Sequence, residues 1–278
     1  MGMALSVYGF LGKFGIHGLL MCKIRMIYAG PFIGEFGWEL MCWQAHLRHL
    51  SRQGAEIVVG VHPNHYALYD DFARGFYPFV STLKPNAMTA EGADWDNYRS
   101  LVPEGFEWLR PVDVTLENRG GCFVTVPQQH RSFADPSEPK RYDLCIHARN
   151  RTTNGERNWQ HWEKFMRRIT PIWKVVSIGT PKEALAYNRG HDFRGLPLHD
   201  VITVMNQSKL VLGPSSGPMH LAALCEVPHL VWSGSPKDQA RYAEVWNPFG
   251  TKNVLLDTWQ PTVDEVMEWT HALINRKP

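Results

Sequence analysis

The stretch Leu210-Val211-Leu212-Gly213-Pro214-Ser215-Ser216-Gly217-Pro218-Met219-His220-Leu221-Ala222-Ala223-Leu224 constrains the fold more than any other part of the chain. Three consecutive branched apolar residues predict a buried strand, and the Gly, Pro and Ser cluster behind them predicts a tight turn. Pro218 suits the first turn of a helix, where an N–H has no intrahelical partner, so a helix is expected over Met219 to Cys225. A strand that enters a helix through small residues belongs to alternating α/β architecture with a parallel sheet. Free backbone N–H groups, the positive end of the helix dipole and two serine hydroxyls converge there, which is what a phosphate or pyrophosphate requires. Taken alone, a plain N-cap turn in which Ser215 or Ser216 only satisfies the helix fits equally well.

The alternation recurs along the chain. Ile24 to Tyr28 is a short β-prone run, glycines follow at 30, 34 and 37, and Trp38 to Gln53 reads as a helix before the strand Ile57 to Val61. Residues 84–121 hold no sustained period and are expected as loops with short elements; Cys122 to Val126 is read as a third strand. Farther on, Tyr142 to Ala148 and Trp173 to Ile178 are strands, with a helix from Trp159 that has Asn158 as N-cap. Thr180-Pro181-Lys182-Glu183 has capping-box spacing and predicts a helix start, Val201 to Gln207 a short helix, and Leu230-Val231-Trp232 a strand. Thr262 and Glu265 form another box ahead of a terminal helix, which either finishes the second domain or crosses back to the first. No repeat of 20 to 50 residues is present.

With 278 residues, 44% of them hydrophobic, the chain has enough apolar material for a buried core. Residues 22–127 form the expected first domain, 128–141, with Pro136 and Pro139, the linker, and 142–278 the second domain. The net charge of +2 names no polyanionic partner, but 22–127 carry −3 and 128–278 carry +4, which puts an anionic ligand on the second half and argues against DNA. Five cysteines without C-x-x-C spacing fit a reduced, cytoplasmic protein with no structural zinc. Residues 1–21 are glycine-rich and apolar, without a basic start or an A-x-A site, and are read as a flexible leader. A membrane helix there would bury Lys13 and His17, so no transmembrane segment is expected.

Gly213 to Gly234 resembles the donor-site signature of the ADP-heptose:lipopolysaccharide heptosyltransferases. Arg157-Asn158-Trp159 is similar to that family's basic and tryptophan segment beside the sugar-nucleotide phosphates, Val175 to Pro181 to its strand and glycine turn, and Leu198 to Val201 to its short helix. The resemblance runs in order over about 142–255 and implies the GT-B fold, two Rossmann-like α/β domains facing a cleft. It further implies transfer of a sugar with inversion, without a metal or other cofactor, from a nucleotide-sugar donor to an acceptor hydroxyl on a glycan or, less favoured, on a hydroxymethylated base in DNA. Donor contacts fall on Arg149, Arg157, Gly179, Ser215, Ser216, Gly217, Pro218, Met219 and His220. Ser215 stands where the family has an acidic residue, and Glu35 where it has its proposed base.

The residues agree with parts of this. Attack on an anomeric carbon needs a proton acceptor, and Glu35, with Glu39 one turn on as reserve, sits on a loop suited to it. Arg149, Arg151 and Arg157 follow a strand end, where guanidinium groups can take phosphate oxygens in bidentate fashion. The spacing of Gly30, Gly34 and Gly37 does not fit a dinucleotide fingerprint. Asp94-Trp95-Asp96 is a D-x-D but does not follow an apolar strand, and His46 with His49, or His62 with His65, lack an acidic or cysteine partner at ligand spacing. Trp38, Trp43 and Trp95 are candidate stacking platforms, with core packing as the alternative. A sugar-nucleotide epimerase and a non-catalytic nucleotide-sugar-binding protein are the rival readings.

Overall fold

A computed structural model describes residues 24–81, 93–114, 116–117, 123–124, 126–187 and 190–275. The expected leader, Cys22 and Cys122 lie outside them. In chain order the strands are β1 (Met26–Ala29), β2 (Glu56–Val61), β3 (Gly75–Pro78), β4 (Glu107–Leu109), β5 (Leu116–Glu117), β6 (Phe123–Val124), β7 (Tyr142–Ile146), β8 (Val175–Ser177), β9 (His191–Asp192), β10 (Ser208–Pro214), β11 (His229–Trp232) and β12 (Asn253–Leu256). The helices are α1 (Phe36–Trp38), continued through a π-helical segment, Glu39–Trp43, into α2 (Gln44–Arg52), then α3 (Trp162–Ile169), α4 (Leu198–Asn206), α5 (Gly217–Leu224), α6 (Pro236–Ala240) and α7 (Val263–Asn275).

Two parallel sheets organise these elements, in the orders β3-β2-β1-β4 and β12-β11-β10-β7-β8-β9. Ile27 lies opposite both Ile57 and Glu107 in the first, and Val211 opposite both His229 and Cys145 in the second. Strands buried on both faces need apolar residues at even and odd positions alike. Thus Leu144, Ile146, Leu210, Leu212, Leu230 and Trp232 turn to one cluster with Trp162, Phe165 and Val266. Cys145, Val211 and Val231 turn to the other, which continues without a break into the first sheet through Met219, Trp246, Trp38 and Trp43. Each such fully buried side chain contributes about 1.5–3 kcal/mol. α7 packs on β10, β11 and α3 and so completes the second sheet. Its box forms as expected, with Glu265 accepting from Thr262 N at 2.8 Å and Glu265 N donating to Thr262 Oγ1 at 3.2 Å.

Several expectations are corrected. Phe123–Val124 pairs antiparallel with Leu116–Glu117, outside both parallel sheets. The helix expected from Trp159 begins at Trp162, because Asn158 is used elsewhere: its Oδ1 accepts from Arg149 at 2.5 Å and from Arg151 N at 3.1 Å. At 180–183 there is one turn and no helix. Asn150 N donates to Glu183 O at 2.7 Å and Leu185 N to Ala148 O at 2.8 Å, so pairing with the segment after β7 outcompetes the next helical turn.

The segment between the sheets is bonded on both sides. Gln129 N donates to Ala45 O at 2.9 Å and Phe133 N to Leu224 O at 2.8 Å. Behind it, Arg48 is fully buried and donates to Asp71 Oδ2 at 2.8 Å, Leu68 O at 2.9 Å and Gln129 O at 3.2 Å.

Candidate functional site

In an open parallel sheet a crevice forms where successive connections leave in opposite directions. In the second sheet that point lies between β7 and β10, and in the first between β1 and β4. The loops after β1, β7 and β10 all reach the wall of one cavity of about 820 Å³, within the range of about 300–1,000 Å³ that accommodates small ligands.

On the second-sheet side, Ser216 is the N-cap of α5 but its side chain does not cap the helix. Its Oγ donates to Pro214 O at 2.9 Å and accepts from His147 Nδ1 at 3.0 Å. Ser215 Oγ accepts from the Tyr242 hydroxyl at 3.3 Å. Neither serine side chain therefore caps α5; Pro218 has no N–H and Met219 N donates to Ser216 O at 3.0 Å, which leaves the Gly217 amide, on the cavity wall, as the first-turn donor without a partner among the described residues. Burial, with Arg149 and Arg151 adding to it, pushes His147 down to about 3, so the ring is neutral and Nδ1 carries its one proton. Gly179 turns at φ +118° behind this ring, and a Cβ there would stand 2.8 Å from Ala184 Cβ and 3.0 Å from His147 Cδ2.

The remaining donor-side candidates divide. Arg149 is 4% exposed and donates to Thr153 O at 2.8 Å and Asn154 O at 2.9 Å as well as to Asn158, so it holds the loop 151–158 together. Burial and its neighbours Arg151 and Arg157 lower it to about 10. Arg157 lies on the cavity wall with its guanidinium 5.1 Å from the Trp259 ring centre. Gly217 and Pro218 line the wall, whereas Met219 is fully buried in the core, because its position on α5 faces the sheet. His220 reaches the wall, stacked on Tyr242 at 4.7 Å. Burial, Arg241 and His229 hold its pKa well below the usual histidine value.

On the first-sheet side, Glu35 precedes α1 in extended conformation, φ −70° and ψ 141°, lines the cavity and makes no capping bond. Glu39 is not a free reserve. It is 2% exposed, and its two carboxylate oxygens take His65 Nδ1 at 2.7 Å and the Tyr69 hydroxyl at 2.8 Å. His65, on a 3-10 turn, Pro63–Leu68, lines the cavity with its side chain 28% exposed. Burial draws its imidazole down, but the charge and hydrogen bond of Glu39 prevail and raise it above the ordinary value. This acidic partner escapes a sequence reading because it stands 26 residues away on another element.

The other candidates have structural places. Asp94 caps a 3-10 turn, with Oδ1 accepting from Asp96 N at 3.2 Å. His46 Nδ1 meets Pro127 O at 2.9 Å, Trp43 is fully buried, and Trp38 meets Trp246 edge-on at 5.1 Å. Where the halves touch, a Cβ on Gly217 would lie 2.5 Å from Phe36 Cδ1, and one on Gly37 4.0 Å from Gly217 Cα. Among the described residues, no three His, Cys, Asp or Glu side chains converge as a metal ion would need, and no helix is long and apolar enough to cross a membrane.

The sequence matches no protein-family model and no curated protein. Solved structures do resemble it. Over 90% of this chain and 100% of the other, E. coli heptosyltransferase WaaC with ADP aligns with a TM-score of 0.57 at 11% identity. E. coli ADP-heptose lps heptosyltransferase II aligns over 90% and 98% with a TM-score of 0.54 at 15% identity. The glycosyl transferase family 9 structure from Veillonella parvula aligns over 90% and 97%, at 0.53 and 12%. The fold is GT-B. At these identities the likeness is one of fold, and activity must be argued from the GT-B cleft itself.

Proposed function

We propose that the protein is a glycosyltransferase that moves a sugar from a nucleotide-sugar donor to the hydroxyl of an acceptor, by inversion and without a metal ion, and that the acceptor is a glycan. The observation that supports this reading is the pairing of two unlike walls across one cleft: an uncapped helix end beside Arg157, and opposite it two groups able to accept a proton, Glu35 and His65. As the bond from the anomeric carbon to the diphosphate breaks, negative charge grows on the leaving phosphate. The Gly217 amide, the α5 dipole and the Arg157 guanidinium would meet it. The neutral His147 fixes the Ser216 hydroxyl, so this wall needs little reorganisation when the charge develops. The net −3 of the first half disfavours DNA as acceptor.

A melting screen with UDP-glucose, GDP-mannose, ADP-glucose and dTDP-glucose tests the donor wall. A donor at about 100 times its Kd adds roughly 2.7 kcal/mol to folding stability, and the shift is expected to shrink in Arg157→Ala. A flat response to every nucleotide sugar would sink the reading. Capture of the labelled sugar on an acceptor, as opposed to its isomerisation on the nucleotide, separates transfer from epimerisation.

A further inference from the structure

Glu39 is a carboxylate inside the protein, and its nearest titratable partner, His65, is a cation only when it holds a second proton. A buried carboxylate is costly unless it is paired. The pair therefore gains most at the moment His65 takes up a proton.

We propose that His65 is the proton acceptor of the transfer, with Nε2 directed at the acceptor hydroxyl and with Glu39 and Tyr69 as positioning residues. The assignment rests on reading the cavity as a glycosyl-transfer site. Nδ1 is taken by Glu39, and His65 is partly exposed on the cavity wall, so Nε2 is the ring nitrogen that a bound hydroxyl can meet. Tyr69, fully buried, donates to the other carboxylate oxygen and fixes the plane of Glu39. The Phe36 ring, 5.2 Å away, flanks the imidazole. Glu35 is on the same wall, but no hydrogen bond orients its side chain among the described residues. A base held by a carboxylate behind it loses less freedom on reaching the reactive geometry.

The balance is simple. The acceptor oxygen forms its bond to the anomeric carbon and gives its proton to Nε2, while the bond from that carbon to the diphosphate oxygen breaks and its electron pair leaves with the nucleoside diphosphate. Nδ1–H stays on Glu39, whose charge stabilises the imidazolium. The other groups near the pair are His62, with its ring 5.5 Å from His65, and, on α4 packed against this turn, the exposed His199 and Asp200, which bond to each other at 3.2 Å.

The test uses the full chain, the nucleotide sugar that stabilises it most in the melting screen, and water as acceptor, with release of nucleoside diphosphate measured against pH. The wild type is expected to lose kcat/KM on the acid side with a midpoint above the ordinary histidine value of about 6.5. His65→Gln should keep the donor-induced melting shift, lose turnover by about 10²- to 10⁴-fold and lack the acid limb. Glu39→Gln should move that limb below its wild-type position, and imidazole should partly restore His65→Ala, which a merely structural role does not predict. Glu35→Gln should keep the limb. Unchanged turnover and limb in His65→Gln, or loss of the limb in Glu35→Gln, overturns this assignment alone. If none of the sugar nucleotides binds or is hydrolysed, the transfer reading falls and His65 with it. The unliganded melting temperature of each variant reports whether it folds.

Discussion

The two walls of the cleft are built differently. The second-sheet wall comes from short contiguous stretches: residues 213–220 deliver the turn, the helix start and both serines, and His147 approaches from the neighbouring strand end. The first-sheet wall is assembled from residues far apart, with Glu39, His65 and Tyr69 joined only by side-chain bonds. A wall whose charge complement lies partly in a helix end and a main-chain amide tolerates many side-chain changes, Arg157 excepted. A wall made of a buried carboxylate and its partners fails if one member is lost. Binding is thus expected to be robust at the first of these walls and turnover fragile at the other.

The change at His65 described above is the largest effect expected and is confined to turnover. Next comes Arg48→Met, which removes the buried guanidinium that ties α2 to Asp71, Leu68 and Gln129. It should cost about 1–3 kcal/mol in urea unfolding for each of the acceptors it leaves unpaired, Leu68 O and Gln129 O; Asp71 is partly exposed and keeps Arg131 at 3.4 Å. Loss at that scale without effect on donor affinity would sharpen the contrast. Arg157→Ala should weaken donor binding by about 1.5–3 kcal/mol, the worth of a hydrogen bond to a charged group, as measured by calorimetry. Equal binding in wild type and variant would remove Arg157 from the site.

Acid reaches the second-sheet wall through His147. Its folded value, about 3, lies below the unfolded one, so the unfolded chain binds more protons in between. This histidine should contribute a fall in stability of up to about 1.4 kcal/mol per pH unit as pH drops below about 6.5, and His147→Gln should remove that share of the slope in denaturation curves, leaving the part due to the similarly lowered His130, His220 and His229. Smallest is Thr262→Ala, which deletes the α7 box at a cost of about 1 kcal/mol and should leave donor binding untouched.

Legibility in the sequence follows the same divide. β10, α5, β11 and the capped α7 could be read because apolar period and turn chemistry are local there. β3 and β4 are too short and too exposed to show a period. The helix through Trp38 and Arg48 is packed on all sides, with Glu39, Gln44, His46 and Arg48 all buried. Amphipathic reasoning assigns such polar residues to solvent, so it leaves Glu39 as a loose carboxylate and His65 without an acid. The polar segment after Pro127 reads in the sequence as a linker, and nothing there signals its hydrogen bonds to Ala45 and Leu224, since they depend on main-chain groups that carry no residue signature.

The seam between the halves has one more consequence. Trp38 packs on Trp246, a Cβ on Gly37 would come within 4.0 Å of Gly217 Cα, and one apolar cluster runs through both sheets. A gene cut between codons 127 and 142 would therefore yield two fragments with sticky tryptophan-bearing faces, which would survive only by finding each other again.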